Sequence, residues 1–386
     1  ERVSQRAASA AGRRRVRALT PRSAAVEVRR ELDRVRAVLH FHAERPDWGM
    51  PPIPEVEDSL RSLGIEGAVL EPLELHGIGV LLASSRVLSG TLAKLGEAGQ
   101  ALALLRDRLL VEQGLEGEIS RTVDADGQVL DRASKELHRI RGRLRGAHGR
   151  VVKRLEAVMG RLDARHAVPD ASVTLREGRY VIPLRREARR EVGGIVHDES
   201  QTGATLYVEP PEAIEAMNEL RDLEREEARE IRRILAALTA RLAPAAAGLR
   251  GALDALADFD GLHARARTAT AWRAHVPEVT EDPADGLVLS GARHPLLVEA
   301  QGLDAVVPYD LELGPEERAM VVSGPNTGGK SVFLKATGLA AALTQSGVIP
   351  PVGPGTRVPV FGAFYADIGD EQSIAHSLST FSAHLE

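Results

Sequence analysis

Apolar residues recur at helical spacing in two long segments of this 386-residue chain. The first segment runs from about Ser134 to Arg165, and its apolar residues, about 3.5 positions apart, are Leu137, Ile140, Leu144, Val151, Leu155, Val158 and Leu162. The second runs from Pro210-Pro211 to about Leu242, and its apolar residues are Ile231, Leu235, Leu238 and Leu242. An apolar stripe on one helix face needs a partner helix. We therefore predict that the two helices pack antiparallel as a coiled-coil arm.

The segment between these helices alternates apolar and polar residues with a period of two, which is typical of β-strands. Residues 173–175 and 180–182 flank Glu177-Gly178, and residues 195–196 and 205–208 flank Thr202-Gly203. Each arrangement predicts a β-hairpin. Residues 170–209 are therefore expected to form a small β domain, the β tip, at the end of the arm.

The remaining patterns complete a multidomain, mainly α fold with an α/β end. Val26, Leu32, Val35, Val38 and Leu39 are spaced for an amphipathic helix, and short apolar runs in residues 278–320 and 348–365 indicate strands. We predict four segments. They are a helical core and lever domain at 1–123, the arm with its β tip at 124–243, a returning helical core at 244–277 and an α/β domain at 278–386.

Composition narrows the classes of function. The chain has no cysteine, which excludes disulfides, cysteine zinc sites and thiol catalysis, and which suits a reducing cytoplasm. Aromatic residues make up only 3% of the chain, which favours helices over sheets. We find no signal peptide and no run near the roughly 20 apolar residues of a membrane span, so we expect no membrane partner. Because the chain begins with Glu1, we expect a trimmed N-terminus.

Charge is distributed unevenly along the arm. Residues 132–190 contain 17 Lys or Arg and 6 acids, whereas residues 191–230 contain 3 Arg and 12 acids. One explanation is lateral attraction between the paired helices. Six arginines lie in the β tip, beyond the reach of helix pairing, and favour contacts with nucleic-acid phosphates over a merely solvated basic surface. They are Arg176, Arg179, Arg185, Arg186, Arg189 and Arg190.

Residues 324–331 read Gly-Pro-Asn-Thr-Gly-Gly-Lys-Ser and match the phosphate-loop pattern G-x-x-x-x-G-K-[ST]. Residues 320–322 predict the strand before the loop, and residues 331–336 predict the helix after it. Such a loop surrounds nucleotide phosphates with backbone N–H groups, its lysine reaches the β- and γ-phosphates, and its hydroxyl holds Mg²⁺. We therefore predict that ATP and Mg²⁺ bind here, with Ser331 on the metal. The predicted cofactor-binding residues are Gly324, Pro325, Asn326, Thr327, Gly328, Gly329, Lys330, Ser331 and Val332.

Other polar and aromatic residues give weaker signals. His197-Asp198-Glu199 lies between β segments, where adjacent residues point to opposite faces, so metal binding there is disfavoured. His40 and His42 do not share a helix face, which disfavours a metal site in the same way. Tyr180 and Tyr207 are expected in the core of the β tip, with stacking on bases as the alternative.

Several motifs together resemble the MutS family of ATPases. They are the phosphate loop, Arg293-His294-Pro295 and Ser379-Thr380-Phe381. Residues 367–373 and 194–200 are similar to the second bacterial paralogue of that family in particular. The resemblance implies a clamp on lever arms and an ATPase domain of the ABC type, in which two identical subunits share their nucleotide sites. It also implies that Asn326 and Lys330 assist at the γ-phosphate while Ser379 of one subunit reaches the nucleotide of the other.

The resemblance implies an ATP-dependent clamp that binds branched DNA and suppresses recombination. The alternative is a ribosome-associated ATPase that binds ribosomal RNA and rescues stalled ribosomes. Either function implies a bacterial cytoplasmic protein, associated with the nucleoid or with ribosomes. A chromosome-cohesion ATPase is disfavoured because each arm helix has only about 30 residues. A standalone nuclease is disfavoured because no cluster of carboxylates for metal binding is visible.

The chain also departs from the family pattern. No phenylalanine is followed by x-Glu, the wedge of mismatch-reading members, and Val306-Val307-Pro308 replaces an adenine-stacking aromatic residue. No apolar strand ending in Asp-Glu, which the family uses as its Walker B motif, follows the loop. We therefore expect a chain truncated before that motif and before the C-terminal nuclease domain of the parent ATPase. Such a chain is expected to bind nucleotide weakly and to hydrolyse none.

Overall fold

The structure, a computed structural model, describes residues 1–282, 285–317, 319–325 and 329–367. The chain divides into two compact units. The first comprises Glu1–Pro54, Val80–Val111 and Gly248–Glu386, and the second comprises Glu55–Gly79 and Glu112–Ala247. The four-segment division predicted from the sequence stays a prediction.

Helices dominate the described residues. The α-helices are α1 (Ala10–Arg17), α2 (Ala25–Glu44), α3 (Glu57–Ser62), α4 (Pro72–Leu92), α5 (Ala103–Arg106), α6 (Gln113–Thr122), α7 (Lys135–Met159), α8 (Arg189–Val192), α9 (Pro211–Leu242), α10 (Ala246–Ala271), α11 (Pro295–Gln301) and α12 (Lys330–Gln345). The strands are β1 (Thr174–Arg176), β2 (Arg179–Arg185), β3 (Ile195–Glu199), β4 (Thr205–Glu209), β5 (Glu278–Thr280), β6 (Leu287–Ala292), β7 (Tyr309–Leu313) and β8 (Arg357–Pro359). The mainly α fold class is thereby confirmed.

The two long arm helices are α7 and α9. Helix α7 begins after Ser134, whose hydroxyl accepts a hydrogen bond from the N–H of Leu137, as an N-cap residue does. It ends at Met159 with Gly160 as its C-cap, earlier than the predicted Arg165. Helix α9 begins at Pro211, whose missing N–H costs nothing in the first turn.

The facing sides of α7 and α9 share a core that contains most of the stripe predicted for α7 but none of the four residues predicted for α9. Of those four, Leu235, Leu238 and Leu242 are buried and Ile231 is half-buried. Five of the seven predicted residues of α7, from Ile140 to Val158, lie in one core with apolar residues of α9. The members contributed by α9 are Ala213, Ala216, Met217, Leu220 and Leu223. The helices therefore pack against each other as predicted.

Ion pairs connect the flanks of the same helices. Arg141 Nε lies 2.7 Å from Glu227 Oε1, and Arg150 Nη2 lies 2.7 Å from Glu219 Oε1. Arg143 pairs with Glu226 at 3.0 Å. Lateral attraction between a basic and an acidic helix thus accounts for part of the uneven charge.

The β tip is one antiparallel sheet with the strand order β1-β2-β4-β3. Both predicted hairpins are present, because β1 pairs with β2 and β3 pairs with β4. Glu177 and Gly178 have φ values of 47° and 72°, as a type I′ turn requires of its two central residues. The buried face of the sheet joins the core of α7 and α9 through Ile182, Leu184 and Val208.

Helices α2 and α10 supply much of the helical core of the first unit. Leu32, Val35 and Val38 of α2 are buried as predicted, whereas Val26 is 61% exposed and Leu39 is half-buried. Val28 and Phe41 are buried in α2 as well, so the apolar face is shifted slightly from the predicted one. Helix α10 is buried along most of its length.

The α/β end contains a mixed sheet with the strand order β5-β8-β6-β7. Among its described strands, β5 and β8 are parallel and the other pairs are antiparallel. Ala340 and Ala341 of α12 pack with Leu289, Leu311 and other apolar residues of this sheet. Residues 320–322 are not a strand, and Val321 is 91% exposed. That prediction is wrong for the described residues, among which no segment supplies residues 320–322 with a partner strand.

One helical run has the dimensions of a membrane-crossing helix. Pro72–Gly96 is long enough and apolar enough to cross a membrane, and its most apolar part has a mean hydropathy of 1.3. The prediction that no run approaches this length is therefore corrected. Glycines and serines interrupt the apolar residues of this run, so the sequence shows no continuous apolar stretch of that length. The finding is weak evidence for a membrane because core helices pass the same test, and Leu75, Ile78 and Leu81 of this run are fully buried.

Candidate functional site

The predicted phosphate loop leads into α12 through a glycine in a left-handed conformation. Gly329 is the N-cap of α12 and has φ 79°. Gly324, at the start of the loop, has φ 153°. A methyl group added at either glycine would meet no atom within 4 Å among the described residues, chain neighbours aside. With respect to those residues, a ligand can approach the backbone closely at both positions.

Lys330, the first residue of α12, reaches back across the loop. Its Nζ donates to the carbonyl oxygen of Gly324 at 2.6 Å and to that of Pro325 at 3.0 Å. Ser331 and Val332 follow in the first helical turn and are exposed. The first N–H groups of a helix lack intrahelical partners and favour anions. Positive charge therefore lies at the end of α12 where the helix N–H groups point and an anion is favoured.

The structure brings together six of the nine predicted cofactor-binding residues. They are Gly324, Pro325, Gly329, Lys330, Ser331 and Val332. Asn326, Thr327 and Gly328 lie outside the described residues, as does the signature residue Ser379. The roles of all nine residues, and of Ser331 as a magnesium ligand, stay predictions.

Side chains beside α12 hold it against β7. Tyr309 Oη lies 3.2 Å from Thr337 Oγ1, and the Tyr309 ring meets Phe333 edge-on at 4.8 Å. Burial raises the pKa of Tyr309 above its ordinary value, so this hydroxyl stays protonated. The face of α12 that follows the loop is therefore fixed by one hydrogen bond and one ring contact.

The motif Arg293-His294-Pro295 has a structural role in the described residues. Arg293 donates to the carbonyl oxygens of Val306 and Gly291, and Pro295 begins α11. His294 is buried, and its pKa is lowered mainly by this burial and secondarily by the positive charge of Lys335. Val307 is 84% exposed; it belongs to the segment Val306-Val307-Pro308, which the resemblance puts in place of an adenine-stacking aromatic residue.

Three of the six tip arginines are paired within the sheet. Arg176 Nε lies 3.0 Å from Asp198 Oδ2, and its guanidinium lies 4.5 Å from the centre of the Tyr207 ring. Arg179 Nη1 lies 3.1 Å from the buried Glu209 Oε1. Arg186 donates to Glu199 at 2.5 Å and to the carbonyl oxygen of Gly203 at 2.6 Å.

The other three arginines present their charge to solvent. Arg185 ends β2, Arg189 and Arg190 begin α8, and all three are exposed. Within the described part of the chain, their side chains form neither a hydrogen bond nor an ion pair. Sequence alone could not separate these three from the paired three, since pairing depends on strand register.

The weaker candidates have structural partners. His197 Nε2 lies 2.8 Å from Glu209 Oε2, so Glu209 joins His197 to Arg179. Tyr180 packs against the core of the β tip, and its Oη lies 3.2 Å from His148 Nδ1. His42, by contrast, has a partner that the sequence did not indicate. Its Nε2 lies 2.9 Å from Nδ1 of His263, 221 residues further along.

Comparison with known proteins relates the chain to one family. Residues 320–386 match the protein family described as MutS domain V. The whole chain is 48% identical to a protein named Endonuclease MutS2 from Gemmatimonas aurantiaca, 47% of which it covers. Over its whole length the chain is similar to proteins of the MutS family.

Other relatives show the same similarity. A protein named Endonuclease MutS2 from Geobacillus thermodenitrificans is 39% identical over the whole chain, which covers 49% of it. Another of that name from Bacillus velezensis is 37% identical, with 48% of it covered. The resemblance to the second MutS paralogue is thereby confirmed. The chain spans about half the length of the curated relatives it matches.

Proposed function

We propose that this chain supplies the ATP-binding loop and a nucleic-acid-gripping surface of an ATP-dependent clamp for branched DNA. The placement of Lys330 carries the proposal. Its ammonium group lies over the loop carbonyls at the N-terminal end of α12, where a phosphate chain would exchange those contacts for stronger ones with anionic oxygens.

The described residues fit a nucleotide phosphate chain. Open backbone at Gly324 and Gly329 leaves room for phosphates, and Lys330 and the first N–H groups of α12 supply positive potential. The hydroxyl of Ser331, in the first turn of α12, would bind Mg²⁺ as the motif predicts. Magnesium bound there would offset the charge of the β- and γ-phosphates. Val307 would give the base an apolar contact without an aromatic face.

We assign DNA contact to Arg185, Arg189 and Arg190. An unpaired exposed guanidinium can bind a phosphate without first losing an internal partner, which favours these three over Arg176, Arg179 and Arg186. The core of α7 and α9 holds the β tip rigidly at the end of the arm. We further propose that two copies pair, so that Ser379 of one reaches the nucleotide of the other.

The names of the relatives include an endonuclease activity. Within the ranges that the structure describes, no three His, Asp or Glu side chains are grouped to hold a metal ion. We therefore assign no cleavage chemistry to these residues and restrict the proposal to nucleotide and nucleic-acid binding.

The test compares Lys330→Ala with Lys335→Ala, an exposed lysine further along the same helix. Binding of a fluorescent ATP analogue with Mg²⁺ is measured first, and binding of a four-way DNA junction with and without ATP second. Lys330→Ala should lose nucleotide binding and the ATP effect on the junction, whereas Lys335→Ala should retain both. Unchanged ATP affinity in Lys330→Ala would refute the site. Preference for a ribosomal RNA fragment over the junction would refute the DNA substrate instead.

A further inference from the structure

Five arginines surround a cavity of about 200 Å³ within the first unit. They come from distant parts of the chain and are Arg15, Arg22, Arg34, Arg108 and Arg265. Apolar residues of α1, α5 and α10 form the rest of the wall. Arg265, with 6% of its side chain exposed, lies at the inner part, whereas Arg15 and Arg108 are nearly half exposed. The cavity therefore extends from solvent into the helical core.

Positive charge in the cavity wall exceeds negative charge. Among the described residues, two carboxylates line the cavity, and each is shared by more than one arginine. Glu31 pairs with Arg34 at 2.8 Å, with Arg265 at 3.1 Å and more loosely with Arg22 at 3.9 Å. Asp258 is shared by Arg108 at 2.6 Å and Arg15 at 2.9 Å.

Two further carboxylates lie outside the wall. Glu27 approaches Arg22 only to 4.0 Å, and Asp254 pairs with Arg15 on its exposed side. Neither lines the cavity. Five guanidinium groups thus face two shared carboxylates, and an anion in the cavity would relieve their mutual repulsion.

Two of these guanidinium groups also have unused buried donors. Arg22 Nη1 and Arg34 Nε are shielded from solvent, and neither has a hydrogen-bond partner among the described residues. Buried polar atoms almost always have a partner, because an unpaired one loses its hydrogen bonds to water without replacement. Both nitrogens belong to side chains of the cavity wall. A ligand with acceptor oxygens would satisfy them.

We propose that this cavity binds a small anion carrying phosphoryl groups. Guanidinium groups match the geometry of phosphate oxygens and are favoured for phosphate recognition. The volume corresponds to about seven water molecules at roughly 30 Å³ each, which suits one or two phosphoryl groups. The anion can be a free phosphate or pyrophosphate, or the phosphate end of a nucleotide.

The same arginines hold the C-terminal end of α12, the helix that begins at Lys330. Arg265 Nη1 donates to the carbonyl oxygen of Gly347 at 3.1 Å. The backbone N–H of Arg22 donates to that of Gln345 at 3.0 Å. An anion bound to Arg265 would therefore share that guanidinium with the carbonyl of Gly347, two residues after the end of α12.

The test uses the 386-residue chain carrying Lys330→Ala, which removes binding at the phosphate loop. Titration calorimetry at about 150 mM chloride measures inorganic pyrophosphate, inorganic phosphate and ADP separately. The variants are Arg22→Gln with Arg34→Gln, and Arg22→Gln alone in case the pair fails to fold. The control is Arg36→Gln, because Arg36 lies on α2 but is exposed and pairs with Asp33.

Pyrophosphate should bind at one site per chain, and the Arg22→Gln/Arg34→Gln variant should lose roughly tenfold or more in affinity. Arg36→Gln should bind as the parent does. Tighter binding of ADP than of pyrophosphate would identify a nucleotide as the source of the phosphoryl groups. The proposal is overturned if none of the three anions binds at millimolar concentration, or if Arg22→Gln, folded, binds as tightly as Arg36→Gln.

Discussion

Arg265 of α10 and Glu31 of α2 form a buried ion pair, with 3.1 Å between Nη1 and Oε2. Burial raises the pKa of Glu31, but the guanidinium charges of Arg265, Arg34 and Arg22 outweigh it and bring that pKa below its ordinary value of 4.5. Glu31 is thus ionised in the folded chain at any pH near neutrality. Removing its charge would leave arginines unpaired in the core of the first unit.

Glu31→Gln should destabilise the chain most at neutral pH. A carboxyl group whose pKa is lowered by folding stabilises the fold above its unfolded pKa, and this stability is lost as the pH falls through the folded pKa. Breaking a buried ion pair costs about 3 kcal/mol at neutral pH. The difference in unfolding free energy between the parent chain and Glu31→Gln should therefore shrink as the pH falls below 4.5. Urea unfolding at a series of pH values measures it.

Glu27→Gln serves as the control for this experiment. Glu27 lies on the same helix, is 57% exposed and approaches Arg22 only to 4.0 Å, so its loss should cost less than about 1 kcal/mol. A difference for Glu31→Gln that stays constant from pH 7 to acid conditions would contradict the ionised pair.

Neutralising Arg185, Arg189 and Arg190 together should weaken binding of a DNA junction and reduce its salt dependence. Each phosphate contact contributes about 0.9 to the slope of log K against log salt concentration. The slope should therefore fall by up to about three units when all three become glutamine. Fluorescence anisotropy at several chloride concentrations gives both the affinity and the slope.

The control removes the same charge elsewhere on the arm, through glutamine at Arg139, Arg143 and Arg150. These arginines pair with acids on α7 or α9, so little change in slope is expected. If both triple variants lower the slope equally, overall charge rather than the β tip determines DNA binding.

Local patterns allowed the arm and its tip to be predicted. The turns at Glu177-Gly178 and Thr202-Gly203 specify hairpins through residues adjacent in sequence, and the stripe along α7 depends on a repeat within one helix. The strand at residues 320–322 was predicted wrongly because an apolar run says nothing about its partner. Val321 is exposed in the structure. Pairing between strands is a property of the whole sheet.

Contacts between distant residues had no signal in the sequence. Arg22 and Arg265 are separated by 243 positions, yet both reach Glu31. The same holds for His42 and His263. At the phosphate loop, the motif allowed the loop residues and the following helix to be predicted. It did not predict that Lys330 turns back to donate to the carbonyl oxygens of Gly324 and Pro325.

Gly329→Ala should impair nucleotide binding, whereas Gly338→Ala should not. Gly329 has φ 79°, a conformation that costs an L-residue about 1–2 kcal/mol. Gly338 lies inside α12 with open space around its Cα, so alanine there should stabilise the helix by about 0.5–1 kcal/mol. Thermal unfolding and ATP-analogue binding measure the two effects. Equal ATP affinity in both variants would show that the left-handed turn is dispensable.

Arg141→Ala should destabilise the second unit more than Arg143→Ala. Arg141 donates to Glu227 at 2.7 Å, to Asp131 at 2.6 Å and to the carbonyl oxygen of Val129 at 2.8 Å, with 22% of its side chain exposed. Hydrogen bonds to charged partners in such surroundings contribute about 1.5–3 kcal/mol. Arg143 pairs with Glu226 alone and is 43% exposed, so its loss should cost about 0–1 kcal/mol.

Double-mutant cycles with Glu227→Ala and Glu226→Ala separate the pairwise energies from other effects of truncation. The coupling energy between Arg141 and Glu227 should exceed that between Arg143 and Glu226. High salt should nearly abolish the coupling of the Arg143 pair but not that of the Arg141 pair, because salt screens exposed ion pairs more strongly than half-buried ones. Couplings near zero for both pairs would mean that Arg141 stabilises the second unit through its Asp131 and Val129 contacts. The attraction between α7 and α9 would then depend on their buried apolar residues and not on their complementary charge.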